Sequence, residues 1–322
     1  MTGVRAGSRT DASVPVTTDA SVRVPVRATV AVPVPAAPVT LVHLGAAPDR
    51  ARLTLGTGAL VARTVDVGPR SAHVALVAAG ALLLGGDRVH IDVVVGAGCT
   101  LELQDVGGTV AYDADGEQSA WTVSIRVETD ALLLWHGLPF VVADGAHVNR
   151  STRIELADAS SVACLRETIV LGRTGESGGF VDLRTHVTIG AEPLFLERLP
   201  VRGTDRTPGI LGDNRVLDTV LLAGLRVGDA CSAASTDTAD AVTALAAAGA
   251  ELLQLEGPGS LARSLHLQAH RSPLALVWES WRARALSSHT SHTAPEAPGD
   301  ATAHEAGARP PFPVPALPGA HS

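Results

Sequence analysis

Lysine is missing altogether from this chain: all 25 of its basic residues are arginine, set against 33 acidic ones for a formal charge of −8. An acidic chain without a basic block is a poor ligand for phosphate backbones, so nucleic acid is not expected as a partner. Aromatic residues are scarce at 3%, which leaves Val, Leu, Ile and Ala to build the core. The cysteines, Cys99, Cys164 and Cys231, are odd in number and far apart. With no C-x-x-C pair they indicate neither a zinc site nor a disulfide framework, and they read as buried apolar thiols in a reducing cytoplasm. The longest apolar run, Val74–Leu84, is broken by Gly80 and too short to span a bilayer, and Met1–Pro15 lacks the apolar region of a secretory signal. A soluble cytoplasmic protein is expected. Fingerprints of catalysis are missing too: no G-x-S-x-G, no H-E-x-x-H, no phosphate loop with its lysine, no dinucleotide motif.

What is present is mostly strand. Val89–Val93 and Val123–Val127 alternate apolar and polar residues, and similar short runs recur near 51–56, 59–67, 72–79, 99–105, 131–135, 147–156, 160–171, 180–189, 194–201 and 216–227. Turn signals such as Gly85-Gly86-Asp87, Gly96-Ala97-Gly98, Asp113–Gly116 and Asp144-Gly145 separate them. This many short strands with few helices predicts an all-β stack, sandwich or solenoid. Helical periodicity comes only late, at Ala239–Ala248 and at Leu274–Leu286 behind Pro273. Residues 1–38 repeat V-P-V units and read as a mobile extension, because proline removes the donors a central strand needs. Residues 287–322, rich in Ser, His, Ala and Pro, read as a second disordered tail, leaving one folded domain over 39–286.

The most unusual segment is Leu171–Gly179, with four glycines in eight residues between two strand runs. Such a loop must turn tightly and displays Arg173 and Glu176 outward. A second unusual segment is Leu134-Trp135-His136-Gly137-Leu138-Pro139, followed by Asp144-Gly145-Ala146. Gly85-Gly86-Asp87-Arg88-Val89 precedes both, leading into Val93–Gly98; Glu167 stands shortly before Leu171-Gly172-Arg173 and Gly175-Glu176, and Pro193–Leu199 follows. In this order and spacing the segments resemble the urease accessory protein UreD (UreH) family, over about residues 80–286. The chain departs from the family pattern at Gln104–Tyr112, which has no lysine, and at His136-Gly137, which stand where the family has Leu-Pro.

The resemblance implies a scaffold and metallochaperone rather than an enzyme, with a β-helix-like stack of short strands and a few appended C-terminal helices. It implies binding to apo-urease and to UreF, with the GTPase UreG recruited through UreF, in a hetero-oligomeric complex. It implies no tightly bound cofactor, only transient Ni2+ passing through the interior toward the urease site. Nickel(II) prefers nitrogen and oxygen donors, and a passage needs scattered, weak ligands that admit the ion without retaining it. Glu102, Glu167 and Glu176 are the candidate relay carboxylates. Glu102 and Glu167 sit in otherwise apolar runs and are either inward carboxylates or outward, solvated ones; Glu176 is either a relay group or the ion-pair partner of Arg173.

Arg173, Trp135 and Asp87 are the candidate partner contacts. The alternatives are a loop ion pair for Arg173, a core anchor for Trp135 and a turn former for Asp87. His90, His147 and His186 read as outward strand histidines, and the tail histidines His289, His292 and His304 as loose nickel ligands at most. A second reading is a β-helical polysaccharide hydrolase or lyase using Asp113/Asp115 or Asp182/Glu192 as acid and base. Scarce aromatics count against it, since glycan sites stack rings on sugars. A third is a β-sandwich adaptor with no metal role.

Overall fold

The computed structural model describes residues 37–208, 210–227 and 249–293. The chain opens with β1 (Val39–Gly45), β2 (Arg52–Gly56), β3 (Leu60–Val67) and β4 (Ser71–Ala78). Three coils follow: β5 (Arg88–Val95), β6 (Thr100–Asp105) and β7 (Thr109–Ala111); β8 (Ser119–Val127), β9 (Leu132–His136) and β10 (Phe140–Val142); then β11 (His147–Leu156) and β12 (Val162–Leu171). The chain continues through β13 (Phe180–Ile189), β14 (Glu192–Arg202), β15 (Val216–Ala223), β16 (Ala250–Gln254) and β17 (Gly259–His266). A 3-10 turn at Ala269–Arg271 leads into the helix α1 (Leu274–Thr293).

Each coil lays one strand on each of two facing sheets, the arrangement of a β-solenoid. The first sheet runs β14-β13-β11-β8-β5-β1-β2 and the second β16-β17-β15-β12-β9-β6-β4-β3. Successive coils stack in parallel register, with Val95 beside Val127 and Val127 beside Leu156. The same corner recurs in every coil: the amides of Cys99, Ala131 and Ser161 donate to the carbonyls of Gly96, Glu128 and Asp158 at 3.1, 3.1 and 3.2 Å. Each corner is bonded to the next, Leu132 N–H to Cys99 O and Val162 N–H to Ala131 O, both at 2.9 Å. The short strands β7 and β10, with residues 169–171 of β12, pair as a narrow third wall. Antiparallel strands flank the parallel stack at both ends.

Alternation dictates which side chains meet. In β5 Val89, Ile91, Val93 and Val95 are buried at every second position, and in β8 Trp121, Val123, Ile125 and Val127 do the same. These residues join Leu101, Leu103 and Leu133 from the second sheet in the core between the sheets. The second sheet is buried on its other face as well, where Leu132, Leu134, Cys164 and Leu222 pack on Val277, Trp278 and Trp281 of α1. Cover on both faces is why β9 reads as the unbroken apolar run Leu132–Trp135. Cys99 and Cys164 are free, buried thiols, and burial pushes both thiol pKa values up.

The expected all-β, solenoid-type stack is the fold observed. The helix expected over Leu274–Leu286 forms, but α1 continues to Thr293, past the 286 boundary. Its extra turns have something to rest on, since Leu286 packs on the helix-side core and His289 is buried. The expected helix at 239–248, Cys231, His304 and residues 1–36 lie outside the described residues.

The corner at Gly145 ties two coils. Its φ is +77°, and a Cβ there would fall 2.3 Å from Asp113 Cγ. Gly145→Ala therefore combines left-handed strain with a clash and is expected to cost about 2 kcal/mol or more. A thermal melt should show a loss of roughly 4–8 °C in Tm; an unchanged Tm would mean that this corner yields freely.

Candidate functional site

Between the two sheets lies a partly open cavity of about 80 Å3, space for several water molecules. Glu167, Arg150, Arg263, Glu197 and Asp105, from five different strands, are among the charged side chains that line it. Odd-numbered residues of β12 point inward, which brings Glu167 in beside Leu165 and Ile169. Opposite, β11 supplies Arg150, whose Nε and Nη2 donate to the same Glu167 Oε1 at 2.7 and 2.5 Å. The Arg150 guanidinium lies over the rings of Phe140 and Trp121, 4.6 and 5.2 Å from their centroids. Toward the β14 end, Arg263 of β17 grips Glu197 of β14 with two bonds of 2.7 Å, joining the sheets across the interior.

The opposite end of the cavity is set by Asp105, at the close of β6. It accepts from Trp135 Nε1 at 3.2 Å and from the Leu138 amide at 3.0 Å. Burial pushes its carboxyl pKa up, and these two bonds only partly oppose the shift. The cavity thus contains three carboxyl groups, two of them paired with arginine and one whose pKa burial raises. None of the described residues forms a cluster of three or more side chains suited to hold a metal.

The expected site residues divide. Glu167 lines the interior. Glu102, on the opposite face of β6 from Leu101 and Leu103, meets Arg282 of α1 at 2.7 and 2.8 Å and so clasps the helix. Glu176 closes its own loop, accepting from Arg173 Nε at 2.7 Å and from the amides of Arg173 and Asp144 at 2.9 and 3.2 Å. Trp135 is buried, the core-anchor alternative. Asp87 accepts from the Leu84 amide at 3.0 Å, the turn-former alternative. Of the three candidate partner contacts only Arg173 is well exposed, with 55% of its side chain accessible. His147 sits edge-on against Phe180.

Arg150, Glu197, Arg263 and Asp105 carry the interior charge and were not singled out by sequence. The available signal was a charged residue at an inward position of an alternating strand, as Arg150 is in β11. The glycan-enzyme alternative finds no support in Asp182, which Arg184 and Arg198 pin at 2.6 and 3.0 Å. Those two guanidinium groups hold its carboxyl below the usual range, Arg198 contributing most, whereas a general acid needs the reverse.

Comparison with known proteins points one way. The family model of the UreD urease accessory protein matches residues 51–295. Urease accessory protein UreD 1 of Streptomyces griseus subsp. griseus is 36% identical over 214 residues, covering 65% of this chain and 77% of the relative. Urease accessory protein UreD of Frankia alni is 35% identical over 251 residues, covering 71% and 78%. Urease accessory protein UreD 1 of Saccharopolyspora erythraea is 36% identical over 205 residues, covering 63% and 74%.

The Glu176 clasp is expected to respond to acid in a defined window. Hydrogen bonds from Arg173, chiefly its side chain, bring the Glu176 pKa down from 4.5 to about 2. A carboxyl depressed in the folded state stabilises fully above its unfolded pKa and loses that contribution as pH falls toward the folded one. The loop should therefore stay closed at pH 5 and loosen progressively between about 4.5 and 2. A carbon-13 NMR titration of the Glu176 carboxyl checks this; an ordinary glutamate midpoint would refute the clasp.

Proposed function

The chain belongs to the UreD family of urease accessory proteins, which implies a role in urease maturation, and from that premise we propose that it is a scaffold guiding nickel into urease. It docks apo-urease and UreF, with the GTPase UreG joining through UreF, and it performs no catalysis of its own. Nickel is cargo here rather than a resident cofactor. It works in the cytoplasm; no described helix is long and apolar enough to cross a membrane.

The observation that carries the nickel part is the polar cavity inside an otherwise apolar stack. Carboxylates are costly to bury and do not persist in a core without a partner. Here Glu167 and Glu197 stand along one cavity, each beside an arginine, in a stack whose remaining inward residues are mostly apolar. Oxygen donors dispersed in this way suit a hard-to-borderline divalent ion and are too few at any one point to store it. Glu167 is the relay carboxylate; Glu102 and Glu176 support it from outside, the first by fixing α1 and the second by fixing the loop after β12. Arg173 offers its exposed fork to a partner carboxylate.

The test is co-expression of this chain with UreF, UreG and apo-urease, followed by an assay of nickel-dependent urease activation. Omitting the chain should abolish activation, and Glu167→Ala should lower it roughly tenfold or more while Glu102→Ala and Glu176→Ala leave complexes able to activate. Activation that is indifferent to the presence of the chain would overturn the proposal. Activation unaffected by Glu167→Ala in an assembled complex would remove Glu167 from the path.

A further inference from the structure

The interior carboxylates never stand alone, and the manner of their pairing differs. Glu197 gives each of its oxygens to one nitrogen of Arg263, a closed bidentate pair. Glu167 takes both of its bonds from Arg150 on Oε1, which leaves Oε2 without a hydrogen-bond donor among the described residues. Arg150 in turn is only partly used. Its Nη1 is buried with no hydrogen-bond partner, as is Nε1 of the neighbouring Trp121. Unpaired donors in a buried site are rare and ask for an acceptor, here water in the cavity or an oxygen brought in from outside. The rings of Phe140 and Trp121 hold the guanidinium on its flat face whether or not Glu167 is engaged.

We propose that Arg150 sets how long a divalent cation stays in the interior: it neutralises Glu167 while leaving Oε2 open, so that a cation is admitted there and then released. This rests on the nickel-cargo reading above and adds the device that prevents trapping. A carboxylate in the cavity without an arginine beside it would hold a dication longer, since nothing there would oppose the attraction. With a fixed positive charge one hydrogen bond away, the incoming ion meets attraction and repulsion together, and its residence is short. Arg150 does not have to leave to let the ion in, because Oε2 is free and the two rings keep the guanidinium where it is. At Glu197 the pairing is closed instead, since Arg263 takes both oxygens, and the ion is admitted there only once that arginine is removed.

The experiment measures Ni2+ binding to the purified full chain by equilibrium dialysis with elemental analysis, without any partner. Wild type, Arg150→Gln, Arg150→Lys, Arg150→Gln/Glu167→Gln and Arg263→Gln are compared, with thermal melts to show that each is folded. Arg150→Gln should gain one Ni2+ held at least about tenfold more tightly than any ion in wild type. Arg150→Lys, which keeps the charge, should behave as wild type. The double variant should lose the gained ion, which assigns it to Glu167 rather than to surface histidines. A folded Arg150→Gln that binds Ni2+ no better than wild type overturns the proposal. So does a gained ion that survives in the double variant. If Arg150→Gln does not fold, Arg263→Gln supplies the same reading at Glu197, with gain supporting and no gain refuting. Urease activation, assayed separately, keeps the two claims apart: an ion trapped by a chain that urease does not need would leave this inference standing and defeat the nickel-cargo role.

Discussion

The parallel register of coil upon coil is the constraint on which the other features depend. Hydrogen bonds at the repeated corners, such as Leu132 N–H to Cys99 O and Val162 N–H to Ala131 O, lock each coil to the one before it. Because a strand's side chains alternate, fixing register also fixes which residues face inward; a slip by one would turn them all over. Glu167 and Arg150 meet because β12 and β11 belong to the same coil on opposite sheets. Trp121 and Phe140, from the coil before, form the surface on which Arg150 rests. The interior is thus assembled from three layers of chain and held by backbone bonds, independent of the charges it contains.

Charge inside such a stack is balanced locally, even though the Glu167 and Glu197 side chains keep part of their surface accessible. The pairs Arg150–Glu167 and Arg263–Glu197 do so by ion pairing, while Asp105, whose pKa burial raises, is met by two N–H donors that oppose the shift. On the outer face of the second sheet a third arrangement appears. Arg166 binds Asp218, which is fully buried and also accepts from Thr168 at 2.9 Å. Beside them His136 stacks on Trp278, and burial together with Arg166 lowers its pKa, favouring the neutral ring. Buried pairs of this kind add little net stability, but removing one partner leaves a charge that the site cannot solvate.

Much of the fold was legible because alternation is a strong signal where one face of a strand is buried. The runs near 147–156 and 180–189 match β11 and β13, and the Gly-rich loop between β12 and β13 falls where the glycines stand. The three-residue strands β7 and β10 were not legible, being too short for any period and defined only by pairing with neighbouring coils. Nor were β16 and β17, of which β17 pairs with the distant β15 and β16 joins the sheet only through β17. The candidate site was half legible. Glu167 could be suspected from its apolar run, but Glu102 stands in a similar run and turns to α1 instead, and only the position of the helix separates the two. Arg150 resembles any outward strand arginine until its partners across the cavity are known.

All four tryptophans are buried, and they are shared evenly between the two apolar layers: Trp121 and Trp135 between the sheets, Trp278 and Trp281 beneath the helix. The molecule consequently carries its own optical labels for two distinct regions. Detachment of α1 wets only the second pair and opening of the stack wets the first, so intrinsic emission can tell a loosened helix from a disrupted solenoid without any added dye.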